Sequence, residues 1–146
     1  MAANLEIYNT TLTTVLDSSQ DLGDLENGDT SGLISCKIQN DGSTTATAIR
    51  VFARCTNGLY TSQSNANGQE AITEAWVQAQ VSSGGYQTIG GDFAGGSNPS
   101  AAGNYLAISD ITAGSASGQI DFKIVIPAST TTAGEFTLQI GVSFKP

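Results

Sequence analysis

Between Gly118 and Phe144 the chain alternates apolar and polar residues with a strict period of two. Ile120, Phe122, Ile124 and Ile126 lead to Pro127; Phe136, Leu138, Ile140, Val142 and Phe144 follow after a small polar connection. Asp121, Lys123, Glu135, Thr137, Gln139 and Ser143 stand between them. Such a period puts all nine apolar side chains on one face of two strands and the polar ones on the other. The pattern predicts a β-hairpin. Two strands cannot hold themselves together in water, so the hairpin demands a second layer to cover its apolar face.

A chain of 146 residues has the length of one domain, and a single domain over 1–146 is expected. Charged residues make up 12%, about half the usual share, and Gly, Ser, Thr, Asn, Gln and Ala take their place. Thr suits exposed strand faces and Gly suits tight turns, whereas runs of helix-favouring residues are missing. The class is all-β. Net charge is −8, and the five basic residues, Lys37, Arg50, Arg54, Lys123 and Lys145, are scattered. Binding to a phosphate backbone needs them clustered, so nucleic acid is not an expected partner. No apolar run reaches a membrane span of about 18–20 residues, so no membrane association is expected. The first residues carry neither the basic nor the apolar part of a secretory signal, so synthesis in a cytoplasm is expected.

Taken in order, Leu5 and Ile7 mark a first strand, which residues 10–16 extend or follow with a second. The alternation then breaks in an acidic stretch with Asp17, Asp21, Asp24, Glu26 and Asp29. Its carboxylates suggest a calcium loop, but residues 24–29 miss the EF-hand spacing. A solvated connection anchored by Leu16, Leu22 and Leu25 is preferred, and an extended arm over residues 1–30 that orders against a partner is the third reading. Leu33 to Asn40 and Ala46 to Cys55 alternate cleanly around Asp41-Gly42, which predicts a second hairpin. With Ile38 opposite Ile49, Cys36 and Cys55 fall about four residues out of register, roughly 13 Å at 3.3 Å per residue. A disulfide needs Cα atoms within about 7 Å, so free buried thiols are expected unless the register slips by four. Residues 70–81 and 86–89 form a further hairpin around Ser82-Ser83-Gly84-Gly85, and 105–111 another strand. Residues 90–103 are glycine-rich, with Phe93 their one large apolar side chain. About eight or nine strands result, for which an antiparallel two-sheet β-sandwich is the natural packing. It is immunoglobulin-like in the loose sense only, because Trp76 follows both cysteines.

The chain has no histidine, which excludes Ser-His-Asp and Cys-His catalysis. Zinc and copper would have to be held by two cysteines and carboxylates, so no metal or cofactor is expected. Glu70, Glu74, Asp92 and Asp110 are the candidates for a glycosidase pair, and surface charge accounts for them equally well. The expectation is a non-enzyme. Trp76, Phe52, Leu33 and Val125 alternate onto faces opposite the core, favouring contact with other protein surfaces. Trp76, Tyr60, Tyr86 and Tyr105 also allow a carbohydrate-binding or adhesin module.

Several phrases resemble immunoglobulin-like modules of tailed-bacteriophage virion proteins. They are Ile38 through Asn40-Asp41-Gly42 to Val51, Trp76 to Val81 leading to Gln87-Thr88-Ile89-Gly90-Gly91, Ile108 to Gly114, and Ile124-Val125-Ile126-Pro127-Ala128 through Ala133-Gly134 to Phe144. Together they span roughly half of the chain. The resemblance implies a non-catalytic virion component, foremost a capsid decoration (cement) protein, or else a small tail or baseplate subunit. It implies as partners the major capsid protein at subunit junctions and copies of the chain itself, in a homo-oligomer such as a trimer. Its place would be the capsid surface, after synthesis in the host cytoplasm. Leu22, Leu25, Trp76 and Phe93 are the expected partner contacts, with residues 1–30 as the partner-facing arm.

Overall fold

The structure, a computed structural model, describes residues 2–17, 20–55, 76–89, 105–128 and 138–146, with side chains throughout except at 54 and 55. Eight strands occur in these residues and no helix: β1 (Leu5–Tyr8), β2 (Ile34–Asn40), β3 (Thr47–Cys55), β4 (Val77–Val81), β5 (Gln87–Thr88), β6 (Leu106–Ile108), β7 (Ile120–Ile124) and β8 (Leu138–Lys145). They form two antiparallel sheets, one of five strands ordered β1-β2-β7-β4-β5 and one of three ordered β6-β3-β8. The expected all-β, two-sheet architecture is what the chain adopts.

The alternation does its work between the sheets. Cys36 and Ile38 on β2, Val77 and Ala79 on β4, and Ile120 and Phe122 on β7 meet Ile49, Val51 and Ala53 on β3 and Leu106 and Ile108 on β6 in one buried cluster. Ile124, Leu138, Ile140, Val142 and Phe144 pack against it. Burying each such side chain contributes roughly 1.5–3 kcal/mol, which is why a period of two, once written, selects a sandwich.

Two expected hairpins are not hairpins. β7 and β8 lie in different sheets, as do β2 and β3. β2 pairs with β1 and β7, and β3 pairs with β6 and β8. In both cases consecutive strands face each other across the core instead of lying side by side. The apolar period demands only a shared interior, and both arrangements provide one. Cys36 is a free, buried thiol, so the expected absence of a bridge holds for it, though not through the register first assumed. Burial, with Asp121 nearby, pushes its pKa up to about 12, which leaves an inert apolar filler.

Asn40 turns the chain from one sheet to the other. It is 0% exposed. Its side-chain amide donates to the Thr44 and Ile111 carbonyls at 2.8 and 2.9 Å. Its Oδ1 accepts from the Gly42 and Asn4 amides at 3.0 and 3.2 Å. One side chain thus ties β2, the turn after it, the N-terminal segment and the loop after β6. Gly42 lets this happen, because a Cβ there would run into the backbone of Ala2, Ala3 and Asn4. On the far side of the turn, Ala46 exchanges backbone hydrogen bonds with Ile111, and β3 begins with a register break between Thr47 and Arg50.

The third expected hairpin is present. Gln78 and Ala79 on β4 face Thr88 and Gln87 on β5. Ser82 and Ser83 between them have φ of 50° and 56°, and the Gly84 amide closes the turn on the Val81 carbonyl at 2.9 Å. Two left-handed central residues match the strand twist even without the usual Asn-Gly.

Candidate functional site

The described residues of the N-terminal segment, 2–17 and 20–30, do not form a free arm. After β1 the chain turns at Asn9, whose side-chain oxygen accepts the Thr13 amide at 2.9 Å. It returns along the far side of β1, with Val15 bridging Tyr8 and the Leu16 amide on the Ile7 carbonyl at 2.8 Å. The acidic stretch that follows folds into local turns. Asp21 accepts the Gly23 amide at 2.8 Å, Asp29 accepts the Glu26 amide at 2.9 Å, and Gly23 and Gly28 supply the positive φ that these turns need. Residues 28–31 are then laced to the end of β7: Gly28 donates to Ile126, Ile126 to Asp29, and Ser31 to Ile124. The Ile124 amide returns a bond to the Ser31 hydroxyl at 2.8 Å.

This path leaves an open groove of about 340 Å³ between the returning segment and the start of β2. Leu16, Leu22, Leu33 and Ile34 line it together with the polar Gln20, Asp21 and Ser35. Leu33 is 58% exposed, and Val15, next to Leu16, is 37% exposed; among the described residues these are the exposed large apolar side chains. Asp17, Asp21, Asp24, Glu26 and Asp29 surround this region in sequence, and the first basic residue of the chain is Lys37. The arrangement can hold an apolar anchor and favour a cationic surface around it. Bond-making chemistry would need converging reactive groups. Among the described residues, no three His, Cys, Asp or Glu side chains lie close enough to hold a metal ion, and no helix is long and apolar enough to cross a membrane.

No family model, curated protein or solved structure matches this chain. The site therefore has to be read from its own residues.

The expected contact residues separate. Leu22 lines the groove. Leu25 packs instead against Trp76 and Ile126 in a second, smaller core, together with Ile124 and Leu138. Trp76 is 2% exposed, so its ring is neither a surface contact nor a sugar platform. Its strand face points outward from the main core, but the acidic segment folds over that end of the sheet and brings Leu25 onto it. Phe93, Tyr60, Glu70, Glu74 and Asp92 lie outside the described residues. Asp110 is exposed. Tyr86 stacks under Lys123 at 3.8 Å and Tyr105 under Arg50 at 4.7 Å, so both rings face the protein's own cations. Phe52, expected on an outer face, is 7% exposed and lies over Gly141, where a Cβ would meet the ring. Val125 is half-buried and donates its amide to the Trp76 carbonyl at 2.8 Å.

Sequence reasoning missed the one buried carboxylate among the described residues. Asp121 sits on the outer face of β7, the central strand of the larger sheet, between Ser35 on β2 and Gln80 on β4. It accepts hydrogen bonds from the Ser35 hydroxyl at 2.6 Å, Gln119 at 2.8 Å and Gln80 at 3.3 Å. The Ser35 bond above all, with Gln119 and Gln80, holds its pKa below the usual carboxylate value against the opposing effect of burial. A depressed pKa means that the ionised form stabilises the fold. That contribution is complete above the unfolded value of about 3.9 and is lost as pH falls through the folded value. Asp121→Asn should therefore be less stable than the wild type at pH 7, with the gap closing as pH falls below about 4. Urea unfolding at several pH values would measure this, and an equal gap at all pH values would contradict it.

Proposed function

We propose that this chain is a non-catalytic structural protein of a phage particle, foremost a capsid decoration protein that acts by adhesion. The observation that carries the reading is the groove beside β2, where exposed Leu33 lies with Leu16 and Leu22 in a segment that has a run of carboxylates and no basic residue among them. An apolar anchor point with a charged surround suits a protein surface that offers a complementary side chain and basic residues. The rigid two-sheet scaffold gives such a site a fixed geometry at little entropic cost. In this reading the protein is made in the host cytoplasm and joins the capsid surface at junctions between major capsid protein subunits. Many weak copies acting together then stabilise the shell through multivalency.

The test is co-sedimentation of the purified protein with undecorated particles. Wild-type protein is expected to sediment with them, and Leu33→Asp to bind at least tenfold more weakly while keeping its fold, because the side chain is exposed. Rising salt should also weaken binding, since the surrounding charges are solvated. Association with tails and not with capsids would move the protein to the tail or baseplate. Failure to associate with either, together with absence from virions by mass spectrometry, would remove the proposal.

A further inference from the structure

We infer that the groove beside β2 takes an extended segment of a partner protein as an added strand, hydrogen-bonded to the backbone of Ser35 and rich in basic residues. Resting on the adhesive surface proposed above, the added strand supplies what that surface recognises. β1 has four residues and β2 has seven. Their pairing ends with Tyr8 opposite Lys37, and the chain turns away at Asn9. From Ile34 to Cys36, β2 therefore pairs with β7 on one side and, among the described residues, has no strand beside it on the other. The Ile38 amide and carbonyl bond to Ser117, and those of Asn40 bond to Ser115 and Gly114, so these residues use their backbone groups on the side of β7. Successive residues of a strand direct these groups to opposite sides. Lys37 and Gln39 thus serve β1, and Ser35 directs its N–H and C=O into the space past the end of β1.

That space is the open groove, since Leu33, Ile34 and Ser35 all line it. Side chains alternate between faces, so a groove touched by all three runs along the edge of the strand and not over one face. Gly32 to Ser35 span roughly 13 Å at about 3.3 Å per residue, room for a short strand. On an open edge, main-chain bonds give affinity and alternate side chains give specificity. The lining sets the chemistry of the occupant. Ile34 and Leu16 belong to the core side, so residues of the added strand that point inward should be aliphatic. Leu33 is exposed on the other face, where the aliphatic stem of a Lys or Arg can lie along it. Asp21 lines the groove, Asp17, Asp24, Glu26 and Asp29 belong to the same segment, and no basic residue precedes Lys37. The charged heads of those outward residues then meet carboxylates. The partner segment alternates aliphatic and basic residues.

Amide hydrogen exchange of the full chain, followed residue by residue by NMR, tests the open edge. The Ser35 amide should exchange about tenfold faster than those of Lys37 and Gln39, which face β1. Equal protection would show the edge closed by the chain itself and would overturn the inference. The probe for the partner is the synthetic peptide acetyl-Thr-Lys-Val-Lys-Val-Lys-Thr-amide. Titration should give saturable shifts at Leu33 to Cys36 and slow Ser35 exchange about tenfold at saturation. With Val pointing inward, the Lys amides face Ser35 and the Val amides face away. N-methylation of all the Lys amides should therefore weaken binding about tenfold, and N-methylation of both Val amides should leave it unchanged. No binding, or binding indifferent to which amides are methylated, would refute the added strand. Co-sedimentation with particles that Leu33→Asp weakens, without peptide binding, would keep the adhesive surface and refute the strand. Peptide binding with the methylation pattern above, without co-sedimentation, would keep the strand and remove the capsid.

Discussion

Asn40→Ala is expected to lose about 3 kcal/mol of stability, a large effect for one polar side chain. Four backbone groups bond to it: the amides of Gly42 and Asn4 and the carbonyls of Thr44 and Ile111, of which the Ile111 carbonyl also accepts the Ala46 amide. Each buried group left unpaired costs roughly 1–3 kcal/mol, and the sum is reduced because Thr44 and Asn4 lie near solvent and can be rehydrated. For a chain of this size the loss lowers the melting temperature by about 10 °C. Asn40→Asp makes a sharper test of the same network. Its carboxylate still accepts from Gly42 and Asn4, but turns an oxygen toward the two carbonyls where a donor is needed. The folded state then favours the protonated acid, which raises the folded pKa. The variant should be strongly destabilised at pH 7 and regain stability, relative to the wild type, as pH falls toward its folded pKa and below. Urea unfolding at neutral and acid pH would measure both. A loss below about 1 kcal/mol in Asn40→Ala would mean that water replaces the side chain freely.

Asn40 also marks where a linear reading stops. In the sequence it opens Asn40-Asp41-Gly42, which reads as a tight hairpin turn, and the alternation on either side agrees with that reading. What decides against a hairpin is a set of partners that are distant in the chain, Asn4 and Ile111, which no local pattern reveals. The same holds for β7 and β8. Their period of two correctly assigns Ile120, Phe122, Leu138, Ile140 and Val142 to one interior, because periodicity reports which face is buried. It is silent on which strand lies alongside, because a neighbour in the sheet and a strand facing across the core present the same apolar face. The β4–β5 hairpin was legible because its connection is too short to cross between sheets, and residues 82 and 83 set its twist locally.

The candidate site was legible in part. The run of carboxylates and the break in alternation located the segment, and Leu22, named there as a contact residue, lines the groove. That the segment folds back on its own sheet was not visible, because it is held mainly by backbone hydrogen bonds to Ile124 and Ile126, which carry no side-chain signature. Leu33 read as a residue on the wrong face of β2, and it is indeed the most exposed large apolar side chain described. Asp121 was hidden differently. A single acid between two apolar strand residues reads as ordinary solvent-face polarity, and only the register that sets Ser35 and Gln80 beside it makes a network.

Trp76→Ala should cost about 3–5 kcal/mol, the range for deleting a buried aromatic ring. The ring is enclosed by Leu25, Ile124, Ile126 and Leu138, which come from the acidic segment, the end of β7 and the start of β8. Removing it leaves a void where three parts of the chain meet, and the backbone bond from Val125 to the Trp76 carbonyl cannot close that void. Trp76→Phe should lose much less, since most of the apolar contact survives. As the chain's single tryptophan, Trp76 also reports on itself. A buried indole predicts blue-shifted emission that moves to the red on unfolding, together with slow quenching by acrylamide in the native state. These measurements separate two meanings of a binding defect. If Trp76 were a surface contact for a partner or a sugar, Trp76→Ala would lose binding while keeping its melting temperature. With the ring in a core, stability falls first, and any loss of binding follows the unfolded fraction and is restored in Trp76→Phe. A Trp76→Ala variant as stable as the wild type, with red-shifted native emission in the wild type, would refute the burial and return the ring to the surface.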